Sequence, residues 1–139
     1  MTSKRFCRPA VARAFAVAVC GLGVGAASAH HSLAGQFDVN KSFHVSGVVT
    51  RVDWVNPHVY VTVDAKGADG KTVTYRFESL PVAMMRKSGL TKQALVGNGE
   101  KIEIDAYPAR DGTATLGYLL HVKFPDGREF QFAKVPGEE

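Results

Sequence analysis

The chain has 139 residues, of which 45% are hydrophobic and 22% charged, a length and balance that suit a single domain with its own core. Its net charge of +4 comes from 17 basic and 13 acidic residues, but four basic residues and both cysteines precede residue 30, whereas every acidic residue follows it. Residues 30–139 are therefore neutral and free of cysteine, which excludes disulfides there and removes the charge argument for binding nucleic acid or an anionic membrane.

The N-terminus has the layout of a cleavable signal peptide. Basic residues up to Arg13 precede an apolar stretch from Ala14 to Val24, and Ala27-Ser28-Ala29 is a small-x-small cleavage site. The apolar stretch is shorter than the roughly 20 residues of a spanning helix, which argues against the alternative of an uncleaved anchor. Lipidation at Cys20 is a second alternative, although branched Val19 stands where a lipobox has a small residue.

We therefore predict a periplasmic or secreted protein with two segments. Residues 1–29 form the signal peptide, which is cut after Ala29, and residues 30–139 form one domain. After this cleavage no stable membrane span is expected.

Period-two alternation predicts the first three strands. The first begins at Phe43, and a phase slip after Gly47 moves the apolar positions to Val48, Val52 and Trp54, which is typical of a bulge or bend. A second strand contains Val59, Val61 and Val63, and a third contains Val73, Tyr75 and Phe77, with Ala68-Asp69-Gly70 as the hairpin turn between them.

A helical segment and further strands follow. Ser79 is a candidate N-cap with Pro81 in the first turn, Gly89 is the stop, and Thr91 is predicted to cap a second short turn. The later strands contain Ile102 and Ile104, then five in-phase apolar residues from Leu116 to Phe124, then Phe130 and Phe132.

This order predicts an all-β domain with a short helix. A helix between the third and fourth strands and a bent first strand are typical of an OB-like barrel, here with five or six strands. A β-sandwich is the alternative, but it explains the helical insertion less well.

The sequence has no hydrolase, phosphate-loop or dinucleotide-binding signature, and we predict no catalytic residues and no enzymatic activity. Copper is the one cofactor for which the residues give an argument. Cleavage after Ala29 would make His30 the N-terminal residue, so that its amine and imidazole could chelate one ion. His58 could supply a third nitrogen and His31 a further one, in the T-shaped histidine brace of some exported copper proteins, and such nitrogen ligands favour Cu(II).

Each histidine also has a structural interpretation. His30 and His31 could form a frayed terminus without a ligand, and His58 could cap a strand after the Asn56-Pro57 turn. His121 is predicted to be solvated on the face opposite Leu120, and His44 to oppose the apolar side of the first strand.

The turn at Asn56 and Pro57 also marks a possible ligand face. Trp54, Asn56 and Tyr60 surround it, and OB barrels bind partners on the face of the second and third strands. Aromatic residues in this position also close the end of a barrel, and we expect Trp54 to belong to the core.

Several strings resemble a known family: His30-His31-Ser32, Phe37-Asp38, the W-x-N-P-H string from Trp54 to His58, Gly97-Asn98-Gly99-Glu100 and Pro125-Asp126-Gly127-Arg128. The family is one of small exported bacterial proteins classed as a domain of unknown function. The resemblance covers essentially all of residues 30–139 and implies export and an OB-like fold.

Two functions remain open on these grounds. The first is an exported accessory module that binds an unidentified small ligand or a protein. The alternative is a copper-binding protein that uses the N-terminal histidine. The two are compatible, because metal binding could be the task of the module.

Overall fold

The computed structural model describes residues 32–137, which form one mostly β structure. Three short helices and six strands follow one another in the order α1 (Leu33–Gln36), β1 (Phe43–Asp53), β2 (Tyr60–Lys66), β3 (Thr72–Glu78), α2 (Val82–Lys87), α3 (Lys92–Val96), β4 (Lys101–Pro108), β5 (Leu116–Lys123) and β6 (Glu129–Gln131). Within these residues no helix is long and apolar enough to cross a membrane.

The strands close into a five-stranded barrel with one additional strand. The sheet order is β3-β2-β1-β4-β5-β6, and a parallel pairing of β3 with β5 closes the barrel. β1 serves both sides, because its first half pairs with β4 and its second half with β2. Both α2 and α3 lie between β3 and β4 in the chain, so the predicted OB-like barrel is confirmed.

The phase slip in β1 occurs later than the sequence indicates. Val45, Gly47 and Val49 face the interior, and the bulge lies at Thr50, after which Val52 faces inward. The prediction that Val48 faces the core is therefore wrong. Gly47 is therefore not the site of the bulge. Glycine is required at this position because the backbone of the paired strand β2 leaves no space for a Cβ atom.

A second bulge divides β5 between two apolar clusters. Asp105 pairs with His121 but Ala106 pairs with Leu119, so Leu120 is the extra residue. Leu119 joins the barrel core, whereas Leu120 and Tyr118 point to the outer face. The prediction of five in-phase residues is wrong, because the bulge reverses the alternation.

The helical segment differs from the prediction at its start. Pro81 is the N-cap of α2 and makes no side-chain cap hydrogen bond, whereas the buried Ser79 hydroxyl contacts the Met85 sulfur at 3.3 Å. Gly89 has a φ of +88°, which suits a helix stop. The Thr91 hydroxyl accepts a hydrogen bond from the Ala94 amide and caps α3 as predicted.

A second apolar cluster lies outside the barrel on β4 and β5, and both ends of the described chain contribute to it. Phe37 is 1% exposed, forms a β-bridge with Ala109, and packs its ring 5.6 Å from that of Tyr118. Val135 is buried in the same cluster, which contains Phe37, Tyr107, Ala109, Tyr118, Leu120 and Val135. The segment before β1 is therefore an ordered part of the domain.

Candidate functional site

His58 lies at the entry to β2, after a cis Asn56-Pro57 peptide bond. Its Nδ1 atom is 3.1 Å from the Ser79 carbonyl oxygen and 3.3 Å from Oε1 of Glu78. The side chain is 38% exposed. The ring is therefore fixed from one side and open to solvent on the other.

These contacts define the tautomer of His58. The Ser79 carbonyl oxygen accepts a hydrogen bond and cannot donate one, so Nδ1 carries the proton. In the neutral ring the lone pair then belongs to Nε2. Among residues 32–137 no hydrogen bond or ion pair engages Nε2, which leaves this nitrogen without a protein partner.

Glu78 is the buried carboxylate of this site. Only 9% of the residue is exposed, although it lies on the outer face of β3. Its Oε1 contacts His58, and its Oε2 accepts a hydrogen bond of 3.3 Å from the Tyr60 hydroxyl. Cross-strand pairing places Glu78 between Tyr60 on β2 and Tyr118 on β5.

The negative charge of Glu78 acts on both neighbouring phenols. Burial raises the pKa of Tyr60, and the Glu78 charge and hydrogen bond raise it further. Burial is also the main reason why the pKa of Tyr118 is raised, with the Glu78 charge second. Both phenols therefore remain neutral at physiological pH, and Tyr60 remains a hydrogen-bond donor to the carboxylate.

The sequence does not mark Glu78 as a candidate site residue, because a carboxylate on a strand exterior is usually solvated. The position of the hairpin turn could have indicated it. A hairpin centred on Asp69 pairs residue 60 with residue 78, which puts the carboxylate beside Tyr60. The burial of Glu78 also depends on β5, which pairs with β3 from a distant part of the chain.

The predicted ligand-face residues have different roles. Tyr60 belongs to the His58 site, and the Arg76 guanidinium lies 4.3 Å from the centroid of its ring. Asn56 is exposed, and its Oδ1 accepts a hydrogen bond of 3.3 Å from the Val82 amide at the start of α2. Trp54 is half-buried against the barrel core. His30 and His31 lie outside the described residues.

Two further histidines share one carboxylate on the outer face of the sheet. Asp105 of β4 pairs with His44 of β1 on one side and with His121 of β5 on the other. Its Oδ1 is 2.9 Å from Nδ1 of His44, and its Oδ2 is 3.1 Å from Nδ1 of His121. His121 is only 20% exposed and its Nε2 lies 3.5 Å from Glu129, so the prediction that it is solvated is wrong.

Within residues 32–137 no three histidine, cysteine or carboxylate side chains are arranged to hold a metal ion. His58 and Glu78 are two such side chains in contact with each other. Around Asp105, the ring nitrogens of His44 and His121 contact the carboxylate directly.

Comparison with known proteins identifies a family. The model of a family of unknown function, DUF6152, matches residues 18–117, from the predicted signal peptide into β5. Neither the curated proteins nor the solved structures contain a significant match.

Proposed function

Since the chain belongs to the family of unknown function DUF6152, its activity has to be inferred from its own residues, and we propose that it is an exported accessory module that binds copper(II) through His58. The observation that carries this proposal is the orientation of His58. Its Nδ1 is held by a carbonyl and a carboxylate oxygen, and its Nε2 is free.

This orientation is the one that metal-binding histidines usually have. Such a histidine donates its second ring N–H to a carboxylate or a backbone carbonyl, which fixes the ring and makes the other nitrogen a stronger electron donor. His58 Nδ1 donates to the Ser79 carbonyl, and the Glu78 carboxylate lies 3.3 Å from the same nitrogen. The Tyr60 hydroxyl in turn holds the second oxygen of Glu78, so the carboxylate itself is oriented.

The remaining ligands would come from the new N-terminus. If export removes residues 1–29, His30 offers an amine and an imidazole on one residue, and His31 offers another imidazole. A set of nitrogen ligands of this kind favours Cu(II) over other divalent first-row metals. The described segment that begins at Ser32 packs through Phe37 on Tyr118, the β5 neighbour of Glu78, so this segment reaches the part of the barrel that carries Glu78.

Titration of the exported protein with Cu(II) tests the proposal, once intact mass has identified its N-terminus. We expect His58→Ala to weaken the Kd by at least about tenfold, and Glu78→Gln to weaken it by roughly tenfold to a hundredfold because the ring loses its carboxylate partner. His44→Ala is the matched control, since His44 also contacts a carboxylate but lies on the half of β1 that pairs with β4, at the opposite end of β1 from the pairing with Tyr60. Electron paramagnetic resonance of the Cu(II) complex should show nitrogen ligands, and it should show fewer of them in His58→Ala.

Two results would overturn the proposal. One is Cu(II) binding no tighter than that of the denatured chain. The other is equal affinity in wild type and His58→Ala. Acetylation of the N-terminal amine separates the two ligand sources, because it removes the amine–imidazole chelate while His58 is unchanged.

A broader form of the proposal is an accessory module that binds a small ligand or a protein on the face of Trp54, Asn56 and Tyr60. The stacking of Arg76 on Tyr60 supports it, because an aromatic ring with a guanidinium above it offers both apolar and charged contacts. If copper binding fails, perturbation of Tyr60 and Arg76 in the NMR spectrum during a ligand screen is the test of this form. Shifts confined to other surfaces would contradict it.

A further inference from the structure

Exposed apolar side chains are concentrated at one end of the barrel. Among residues 32–137 four large apolar side chains are exposed, and three of them lie on the loop after β1 and on α2 and α3. These are Val55 and Met84, each 52% exposed, and Val96, 43% exposed. The core-facing residues of the same helices, Met85 and Leu95, are at most 1% exposed. Other residues therefore already fill the core side of both helices, and the exposed apolar side chains face solvent.

The same two helices have exposed cations that make no ion pair within residues 32–137. Residues 79–99 contain Arg86, Lys87 and Lys92 and no acidic residue, and residues 54–58 contain no acidic residue either. The neutral balance of residues 30–139 thus conceals a local group of three cations, unpaired within the described residues, whose borders in the sequence are the acidic residues Asp53, Glu78 and Glu100.

Direct contacts join the loop to the helices. The Asn56 side chain accepts a hydrogen bond from the first residue of α2, Val82. Trp54, Arg86 and Lys92 line one shallow cavity of about 210 Å³. Trp54, Arg86 and Lys92 therefore belong to one surface. Together with the exposed neighbours Val55, Met84 and Lys87 we call it the cationic cap; Val96 lines a different cavity, with Glu100 and Asp126.

We propose that the cationic cap docks on the surface of an anionic phospholipid membrane. Lysine and arginine side chains near such a surface each contribute to binding through the negative potential of the lipid phosphates. Val55 and Met84 would enter the boundary between headgroups and acyl chains, with Trp54 at the level that tryptophan prefers. The apolar side chains project from two separate elements, the loop after β1 and α2, which a fluid lipid surface accommodates without shape complementarity.

Vesicle binding of the exported protein tests this inference. Trp54 is the one tryptophan of the whole sequence, so its fluorescence reports on the cap without labelling. On vesicles of phosphatidylglycerol and phosphatidylcholine at low salt, we expect a blue shift of its emission and cosedimentation of the protein. Both should be lost at high salt and be absent on phosphatidylcholine alone, because the charge attraction is screened or missing.

Two sets of substitutions locate the binding surface. Arg86→Gln, Lys87→Gln and Lys92→Gln together should weaken binding by at least about tenfold. The matched control is the triple variant Lys66→Gln, Lys71→Gln and Lys101→Gln, which changes the net charge by the same amount. These lysines are exposed and lie outside the cap, so this variant should change binding less than twofold. Circular dichroism checks that both triple variants are folded. Val55→Ser with Met84→Ser should remove the blue shift even where cosedimentation persists.

The inference fails if the protein does not bind anionic vesicles at low salt, or if the control triple weakens binding as much as the cap triple. Equal binding to neutral vesicles would also overturn it, and is the result expected if an apolar leader were still attached. Binding of a purified acidic protein without any binding of vesicles would assign the cap to a protein partner instead. None of these outcomes depends on copper, so the inference stands or falls independently of the proposed function.

Discussion

Gly47 lies directly against the backbone of Asp64: a Cβ atom on Gly47 would stand 2.5 Å from the Asp64 carbonyl oxygen. We expect Gly47→Ala to lower the free energy of unfolding by about 2 kcal/mol or more, because the obstacle is backbone that cannot rotate away and β1 must leave its register. Urea denaturation measures the loss.

The control for this substitution is Gly67→Ala in the β2–β3 hairpin. There the nearest atom to a new Cβ is a carboxylate oxygen of Asp69 at 3.2 Å, at the end of a side chain that can turn. We expect a loss well under half of that for Gly47→Ala. Equal losses would show that close approach to β2 is not what requires glycine at position 47.

The Phe37 ring fixes the segment before β1 to the barrel. It is 1% exposed in the outer apolar cluster, so Phe37→Ala should cost about 3 kcal/mol of unfolding free energy through lost burial and the cavity left behind. Leu33→Ala, in the same segment but 37% exposed, should cost less than about 1 kcal/mol. Similar, small losses in both variants would mean that the segment is not part of the folded unit.

Alkaline pH should destabilise the fold through Tyr60 and Tyr118. Burial raises the pKa of both phenols above 10.0, so the folded protein retains protons that the unfolded chain releases. Their stabilising contribution is complete below about pH 10 and is lost as the pH rises through the raised values. Tyr118→Phe should therefore make the decline of the urea midpoint between about pH 9 and pH 11 shallower. An unchanged slope would contradict the assignment.

Asp105 holds two histidines of unequal exposure. His121 is 20% exposed and contacts Asp105 and Glu129, whereas His44 is 53% exposed and contacts Asp105. His121→Ala should cost about 1–2 kcal/mol of unfolding free energy, because hydrogen bonds to charged groups are strongest away from water. His44→Ala should cost less than about 1 kcal/mol, as expected of an exposed pair. Urea denaturation at pH 7 measures both, and a larger loss for His44→Ala would reverse the interpretation.

The sequence predicts the strands and their order well, because alternation is a local property. Val59, Val61 and Val63 are fully buried, as their spacing indicates. The helical insertion between β3 and β4 then distinguishes the OB-like barrel from a sandwich. Gly89 and Thr91 also act as predicted, since helix stops and caps depend on a few neighbouring residues.

The errors come from one-residue insertions and from contacts between distant strands. Thr50 and Leu120 are extra residues in their ladders, and nothing local distinguishes a bulge at Thr50 from one at Gly47. The burial of Glu78 and the contacts of His121 require knowledge of which strand lies alongside. The candidate site was therefore predicted through His58 and Tyr60, while its carboxylate was missed.

The outer apolar cluster joins the two ends of the described chain over β4 and β5, through Phe37 and Val135. A connector could therefore link those ends while new termini are opened at the exposed Asp69-Gly70 turn. Such a circular permutant should fold, because it retains every strand pairing and cuts a loop that takes no part in either core. It would also create its free amine at the hairpin end, and so separate the stability of the barrel from the chemistry of its N-terminus.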